Sequence, residues 1–248
     1  MKKIHLIMPM GGAGSRFFKN GFVMPKPLIE INGFPFFYWS TLSISNFVEV
    51  QDITFVVLKQ HIEEFNIDEK IKKYFPKAKI VVIPELLNGA VLTCMHGVEN
   101  IDDDLPIIFN DCDHMFTCEE FYKYCRQGDF GSVDGALLTF TSNDPKYSFL
   151  EMNENGNVIH TVEKQAVSNH AICGAYYFKN TDIFLKCAEE YLQKCNYSEY
   201  FVSGVYNIMA EHNMKIINFT CDMHLPFGTP DEYYEAEKSS EFGKVLKK

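Results

Sequence analysis

The sequence predicts an α/β fold in which a Rossmann-like central sheet, mixed but mostly parallel, is flanked by helices. Three observations carry that reading. An apolar run over residues 3–9 turns abruptly into the glycine-rich stretch Gly11-Gly12-Ala13-Gly14, the pattern of a buried strand emptying into a loop. Strand-like and helix-like segments then alternate through the first half, as in a parallel sheet. Finally, a short apolar run ends in Asn110-Asp111-Cys112-Asp113, which puts acidic residues at the carboxyl end of a strand, where such sheets place their ligand crevice.

In chain order, residues 53–58 read as a strand. Residues 61–74 read as one helix, with Phe65, Ile67, Ile71 and Tyr74 near helical spacing. Residues 79–83 form the next strand, residues 90–98 a helix and residues 105–109 a short buried strand. Beyond that point the alternation loosens, and 135–141, 149–152, 158–162, 175–178 and 215–219 are strand candidates. Asn153-Glu154-Asn155-Gly156-Asn157 separates two of them as a hairpin turn. Residues 239–248 are charged and expected to fray, and no internal repeat or linker interrupts the chain.

The 248 residues are 46% hydrophobic, enough for one sizeable core. Net charge is −10, with no cluster of basic residues, so a nucleic-acid backbone would be repelled. No stretch reaches the roughly 18 to 20 apolar residues that span a bilayer. Lys2 and Lys3 precede an apolar run, but it stops at Gly11 and is too short for a signal peptide. Cysteines at 94, 112, 118, 125, 173, 187, 195 and 221 include no Cys-x-x-Cys pair and read as reduced thiols. These features predict a soluble, cytoplasmic chain with neither nucleic-acid nor membrane partners.

The segment from Gly11 to Arg16 lacks the third glycine of a dinucleotide fingerprint and the Lys-Ser or Lys-Thr of a phosphate-binding P-loop. It does offer backbone N–H groups that a phosphate chain can approach closely, with Arg16 following and Lys26 held between Pro25 and Pro27. The bland alternative is a tight strand-to-helix turn with surface cations. Asp111 and Asp113 invite two readings as well: a hard-cation site of carboxylates and water, or a solvated loop that caps a helix. Their position after a buried strand favours the first. His114, beside Asp113, could serve as a ligand or a base, and it reads as structural.

The longer pattern Pro9-Met10-Gly11-Gly12-Ala13-Gly14-Ser15-Arg16, then Pro25-Lys26-Pro27-Leu28-Ile29-Glu30-Ile31-Asn32-Gly33, resembles the signature of the sugar-phosphate nucleotidyltransferase superfamily. Asn88-Gly89-Ala90, Asp113, Val162-Glu163-Lys164, Gly174-Ala175-Tyr176 and Phe227-Gly228-Thr229-Pro230 extend the likeness along nearly the whole chain. The resemblance implies a GT-A-like single domain over 1–248, with a nucleotide-binding half at about 1–115 and an acceptor-binding half at about 116–238. It implies that Met10, Gly11, Gly12, Ala13 and Gly14 hold base, sugar and phosphates, that Arg16 contacts the β and γ phosphates, and that Lys26 sits on the α phosphate. Asn88, Gly89 and Ala90 would border the base, and Asp113 would carry Mg²⁺, with Asp111 as its rival or neighbour.

On the acceptor side, Lys164 would neutralise a phosphate and Glu163 would hydrogen-bond the rest of the molecule, with Tyr147, Ser148, Gly174, Glu199 and Tyr200 nearby. One departure stands out. The superfamily often has a second metal-binding Asp two residues before its late glycine, where this chain has Pro226, which leaves Asp113 alone or supported by Asp222 or Asp231. The compact chain looks closest to bacterial cytidylyltransferases of the phosphoglutamine and choline-phosphate types. The implied partners are therefore CTP and a small phosphorylated acceptor used in capsule or surface-polymer precursor synthesis, and a homodimer stays open. Rival readings are a sugar-1-phosphate uridylyl- or thymidylyltransferase, a glycosyltransferase using Asp111-Cys112-Asp113, and a silent nucleotide-binding subunit.

Overall fold

The computed structural model describes residues 3–128 and 130–246. The first half comprises β1 (Ile4–Met10), α1 (Ser15–Lys19), β2 (Glu30–Ile31), β3 (Phe34–Pro35), α2 (Phe36–Ser45), β4 (Val50–Leu58), α3 (Lys59–Phe65), α4 (Ile67–Tyr74), β5 (Lys79–Ile83), α5 (Ala90–Val98) and β6 (Ile107–Asn110). The second half adds β7 (His114–Thr117), α6 (Glu119–Gln127), β8 (Gly135–Thr141), β9 (Ser148–Met152), β10 (Val158–Glu163) and β11 (His170–Phe178). It ends with α7 (Thr181–Lys194), α8 (Val202–Glu211), β12 (Ile216–Thr220), β13 (Met223–Pro226) and α9 (Pro230–Ala236).

Among the described residues, nine strands form one sheet in the order β10-β9-β11-β6-β1-β4-β5, with β8 against β11 and β12 against β8. β6, β1, β4 and β5 are parallel. β11 runs antiparallel to β6, β8 and β9, and β12 runs parallel to β8. With β10 antiparallel to β9, only β10 and β11 oppose the rest of the sheet. The expected mixed, mostly parallel sheet flanked by helices is the one observed.

The inner strands β1, β6, β8 and β11 are largely apolar and buried because both faces of the sheet are covered there. Side chains alternate across a strand, so in β1 Leu6 and Met8 pack into one layer with Phe37 of α2 and Phe121 of α6. Ile7 between them packs into the opposite layer with Val91 of α5, Phe184 of α7 and Val205 of α8. Each such side chain, fully buried, contributes roughly 1.5–3 kcal/mol. This rigid sheet fixes the positions of the loops at the carboxyl ends of β1, β5 and β6.

Two elements differ from the sequence reading. Residues 61–74 are not one helix: Asn66 adopts a left-handed conformation with φ 50° and separates α3 from α4, a state that asparagine tolerates better than most residues. The expected fraying of residues 239–248 is also overturned. Residues Glu241–Val245 form a 3₁₀ turn whose Phe242 and Val245 are buried. Phe242 sits 4.7 Å from the Trp39 ring, and the Asn46 side-chain amide donates to the Val245 carbonyl at 2.8 Å. Two apolar side chains outweigh the charged residues around them. Residues 1–2 and 247–248 of the reading lie outside the described residues. No described helix is long and apolar enough to cross a membrane.

His5, 3% exposed on β1, holds Asp52 through Nδ1 at 2.8 Å and Asp103 through Nε2 at 3.0 Å. Burial pulls the imidazole pKa down, but the two carboxylates outweigh burial and hold it above the ordinary value of 6.5. A raised folded-state value means that this stabilisation is complete below 6.5 and is lost as pH rises through the raised value. His5→Gln should therefore lower stability by about 2 kcal/mol at pH 6 and by less at pH 9 in urea unfolding. An equal loss at both pH values would show that the contact is not charged.

Candidate active site

The loop after β1 leads into α1 through Gly14, whose φ of 61° lies in the left-handed region. Lys26 opens a 3₁₀ turn between Pro25 and Pro27, and burial of Pro27 and Leu28 anchors that turn to the core. The Lys26 side chain is thereby aimed inward, and Nζ donates to Asp113 Oδ2 at 2.7 Å. Asp113 lies in the turn after β6, which neighbouring segments pin at both ends. The Asp111 N–H donates to the Gly174 carbonyl and the Phe227 N–H to the Asp113 carbonyl, each at 2.9 Å.

Two glycines make room for the carboxylates. A Cβ on Gly174 would lie 2.8 Å from Asp111 Oδ2, and one on Gly228 would lie 2.4 Å from Asp113 Oδ2. Burial opposes charge on both members of the Lys26–Asp113 pair, yet their mutual attraction outweighs it. The lysine pKa is raised and that of Asp113 lowered. Asp111 goes the other way: burial, then repulsion from Asp113, pushes it up to about 7. No hydrogen-bond donor among the described residues reaches its carboxylate. Burial pushes His114 down to about 4, and its Nε2 lies 3.1 Å from Asn110 Oδ1.

Two adjoining cavities meet at this point. One, of about 390 Å³, is lined by Met10, Gly11, Gly12, Asn88, Gly89 and Ala90. The other, of about 510 Å³, is lined by Gly14, Arg16, Tyr147, Ser148, Glu163, Lys164 and Gly174. Ala13, Lys26, Asp111, Asp113 and Glu199 line both. The candidates of the glycine-rich loop, Lys26, Asp111, Asp113, Asn88, Gly89, Ala90 and the set Tyr147, Ser148, Glu163, Lys164, Gly174 and Glu199 thus border one of two connected spaces, while larger cavities elsewhere contain none of them.

Three supporting assignments change. Tyr200 does not line the acceptor-side cavity; its backbone bonds Asn88 and Val91 and so shapes the other one. Asp222 accepts the Glu119 N–H at 2.7 Å, and Asp231 borders neither space. The acid that does enter beyond Pro226 is Glu232, together with Lys146 and His224, none of which the sequence singled out. Glu232 Oε1 accepts from the Tyr147 hydroxyl at 2.6 Å and pairs with Lys146 at 3.1 Å. Its sequence signal, Thr229-Pro230-Asp231-Glu232, reads as a capping box, and the Thr229 hydroxyl does accept the Glu232 N–H.

The superfamily resemblance implies a divalent cation, and the donor set here suits a hard one. Asp111 is a half-buried carboxylate that no hydrogen-bond donor or ion-pair partner among the described residues reaches, two residues from Asp113. Among the described residues no group of three or more His, Cys, Asp and Glu side chains could hold a metal. A cation bound here would complete its shell with phosphate oxygens and water, which is the habit of Mg²⁺.

A family profile described as nucleotidyl transferase matches residues 5–241. The chain belongs to the nucleotidyl transferase family. Among solved structures, a nucleoside-diphosphate-sugar pyrophosphorylase from Vibrio cholerae superposes with a TM-score of 0.81 at 23% identity, covering 94% of this chain and 100% of its own. An inositol-1-phosphate CTP transferase from T. maritima gives 0.77 at 13% identity over 100% and 98% of the two chains. A Bacillus anthracis protein described as a glucose-1-phosphate thymidylyltransferase, solved with sucrose, gives 0.75 at 15% identity over 98% and 99%. At these identities the likeness is one of fold. No curated protein matches the sequence.

In this nucleotidyltransferase, Gly12 is exposed, and an added Cβ would meet nothing within 4 Å. An alanine there would therefore fit the folded chain, which makes the position a test of whether the loop faces a ligand. Gly12→Ala should leave stability within about 0.5 kcal/mol yet weaken triphosphate binding at least roughly tenfold, or about 1.4 kcal/mol, by titration calorimetry. Unchanged affinity would remove the loop from the nucleotide site.

Proposed function

We propose that the chain transfers a nucleotidyl group, preferably from CTP, to the phosphate of a small phosphomonoester and releases pyrophosphate with the help of Mg²⁺. The observation that carries this reading is the Lys26 ammonium, paired with Asp113 at the junction of two cavities. On this reading the cavity bordered by Gly11, Gly12 and Asn88 takes the nucleotide, and the one bordered by Glu163 and Lys164 takes the acceptor. Residues 1–115 then supply the nucleotide half of the domain and residues 116–238 the acceptor half.

An acceptor phosphate oxygen would attack the α phosphorus as the bond to the β-phosphate bridging oxygen breaks. Such a loose transition state demands positioning and positive charge more than covalent help. Lys26, its pKa raised, keeps its proton and acts as a charge at the reacting phosphate, not as a base. Arg16 is exposed at the same edge and pairs with no carboxylate among the described residues, so its guanidinium is free for the leaving phosphates. Mg²⁺ would add charge at the phosphate oxygens, held by Asp113 with Asp111 beside it.

Lys26→Ala should slow turnover by roughly a hundred- to a thousandfold. Because it strands the Asp113 carboxylate, it should also lower stability. Lys26→Ala combined with Asp113→Asn should recover the stability but not the turnover. Near-normal turnover in the single variant would remove Lys26 from the mechanism.

The preference for CTP rests on the compact-chain resemblance, and a site that hydrogen-bonds one pyrimidine edge discriminates against the other. The product would be a CDP-activated head group for a surface polymer. Purified protein should be offered CTP, UTP, dTTP and ATP with a panel of phosphomonoesters, with Mg²⁺ or with EDTA. Pyrophosphate release should be fastest with CTP and should vanish with EDTA. A UTP or dTTP pairing that clearly exceeds every CTP pairing would replace the base assignment, and release of nucleoside diphosphate would indicate glycosyl transfer.

A further inference from the structure

Away from the two cavities' charged groups, Cys118, Cys173 and Cys221 pack into one layer with Phe121 of α6 and Phe219 of β12. Cys221 is central. Its thiol donates to Cys173 Sγ at 4.0 Å and also hydrogen-bonds Cys118.

The two neighbours are not equivalent partners. Ile172 and Thr220 pair with Thr139 of β8 from opposite sides, so β8 stands between the backbones of Cys173 and Cys221. Strands separated in this way lie roughly 9–10 Å apart, beyond the roughly 7 Å at which a disulfide requires backbone movement. Cys118 faces Cys221 directly. β7 and β13 run antiparallel, and just past their last pair the Asp222 N–H donates to the Thr117 carbonyl at 2.8 Å. Cys118 follows Thr117 and Cys221 precedes Asp222, which makes the two cysteines the next facing positions beyond that bond. Facing positions in antiparallel strands have Cα atoms about 4.5–5.5 Å apart, within the span of a disulfide.

Reactivity also separates Cys118 from the other thiols. It stands at the N-cap of α6. Its hydrogen bond with Cys221, joined by one from the Phe121 N–H, outweighs burial and holds the thiol below its ordinary value of 9.0. Burial pushes Cys94, Cys112, Cys125 and Cys187 the other way. The thiolate is the reactive form, and the partly exposed Cys221 gives an oxidant access to the pair.

We propose that Cys118 and Cys221 form a peroxide-sensitive modification site, reduced at rest and joined by a disulfide on oxidation. The Cys118 sulfur attacks one oxygen of hydrogen peroxide and the O–O bond breaks, giving a sulfenic acid, while the proton of Cys118 joins the departing hydroxide as water. The Cys221 sulfur then attacks the sulfenic sulfur. The S–S bond forms as the S–O bond breaks, and the Cys221 proton leaves with that oxygen as a second water. The bond ties the start of β13, the strand that carries Pro226 and Gly228 toward Asp113, to the end of β7. The proposal is independent of the nucleotidyl-transfer reading, because its readouts are covalent and thermal.

The full chain, reduced and desalted, should be treated with hydrogen peroxide, alkylated, and cut after Asp and Glu without reduction. Asp113 and Glu119 then separate the Cys118 peptide from Cys112 and Cys125. Mass spectrometry should find the Cys118 and Cys221 peptides linked, with both thiols recovered by dithiothreitol. Because the bond closes a long loop, oxidation should raise the thermal unfolding midpoint by roughly 5 °C or more. Cys221→Ala should abolish the link and the rise, and Cys195→Ala, at the other partly exposed cysteine, should keep both. A Cys173–Cys221 link, a link between chains, sulfinic acid without a link, or thiols that stay intact would overturn the proposal. The wild-type peptide map decides this even if Cys221→Ala fails to fold.

Discussion

The contact on which the site depends is the ion pair between Lys26 and Asp113. Its side chains keep only 27% and 21% exposure, and two charges so far from water persist only if each supports the other. The fold supplies both from opposite directions. The proline-flanked turn projects the ammonium from the side of the glycine-rich loop, and the turn after β6 projects the carboxylate from the centre of the sheet. A bare glycine at 228 lets the segment after β13 close over the carboxylate at a distance that no side chain would allow. Removing either charge strands the other, which makes the pair a constraint on folding and, on the proposed reading, the charge that meets the reacting phosphate.

Around that pair the electrostatics are deliberately incomplete. Asp111, pushed up to about 7, and Glu163, raised as well, are acids that no cation among the described residues meets at ion-pair distance. A structure selected for stability alone would pair or remove them. They lie on either side of the junction, one bordering both cavities and the other only the acceptor side. Acids without an ion-pair partner at two points a phosphate chain would visit make sense if cations arrive with the substrates, and phosphate substrates travel with divalent metal ions.

Much of this was legible in the sequence because backbone constraints leave strong marks. The glycine run after β1, the prolines around Lys26 and the acids after β6 each follow from a requirement that few residue types meet, and all fall at the junction. The strands of the main sheet were readable for the same reason, since period and burial agree, whereas the short β2, β3, β7 and β13 were not read. What could not be read depends on tertiary contact. α2 is buried on more than one side, with Phe37 in the central core and Phe36 and Trp39 packed toward the C-terminal turn, so it shows no amphipathic period. Glu232 lies in the first turn of α9, where its N–H donates to the capping Thr229 hydroxyl. Its second use, against Lys146 and Tyr147, requires a loop that is 85 positions away from it along the chain at Tyr147.

Pro226 shows how far a departure from a family pattern can be interpreted. It pairs with His114 in the β13–β7 ladder and borders the acceptor cavity with no charge to offer. The acid that reaches the same wall, Glu232, has Oε2 within 3.6 Å of the point where a Gly228 Cβ would stand, the point that Asp113 Oδ2 approaches to 2.4 Å. Its charge is already matched by Lys146 and by the Tyr147 and Thr229 hydroxyls. A carboxylate so engaged would have to break those bonds to take a metal. Asp111 would break none, since no donor among the described residues holds it. The physical asymmetry between these two acids therefore favours Asp111 as the companion of Asp113, and it weakens the reading in which Pro226 marks a silent nucleotide-binding subunit. The charge missing at one strand end is present at another, on the same loop as the residue it would assist.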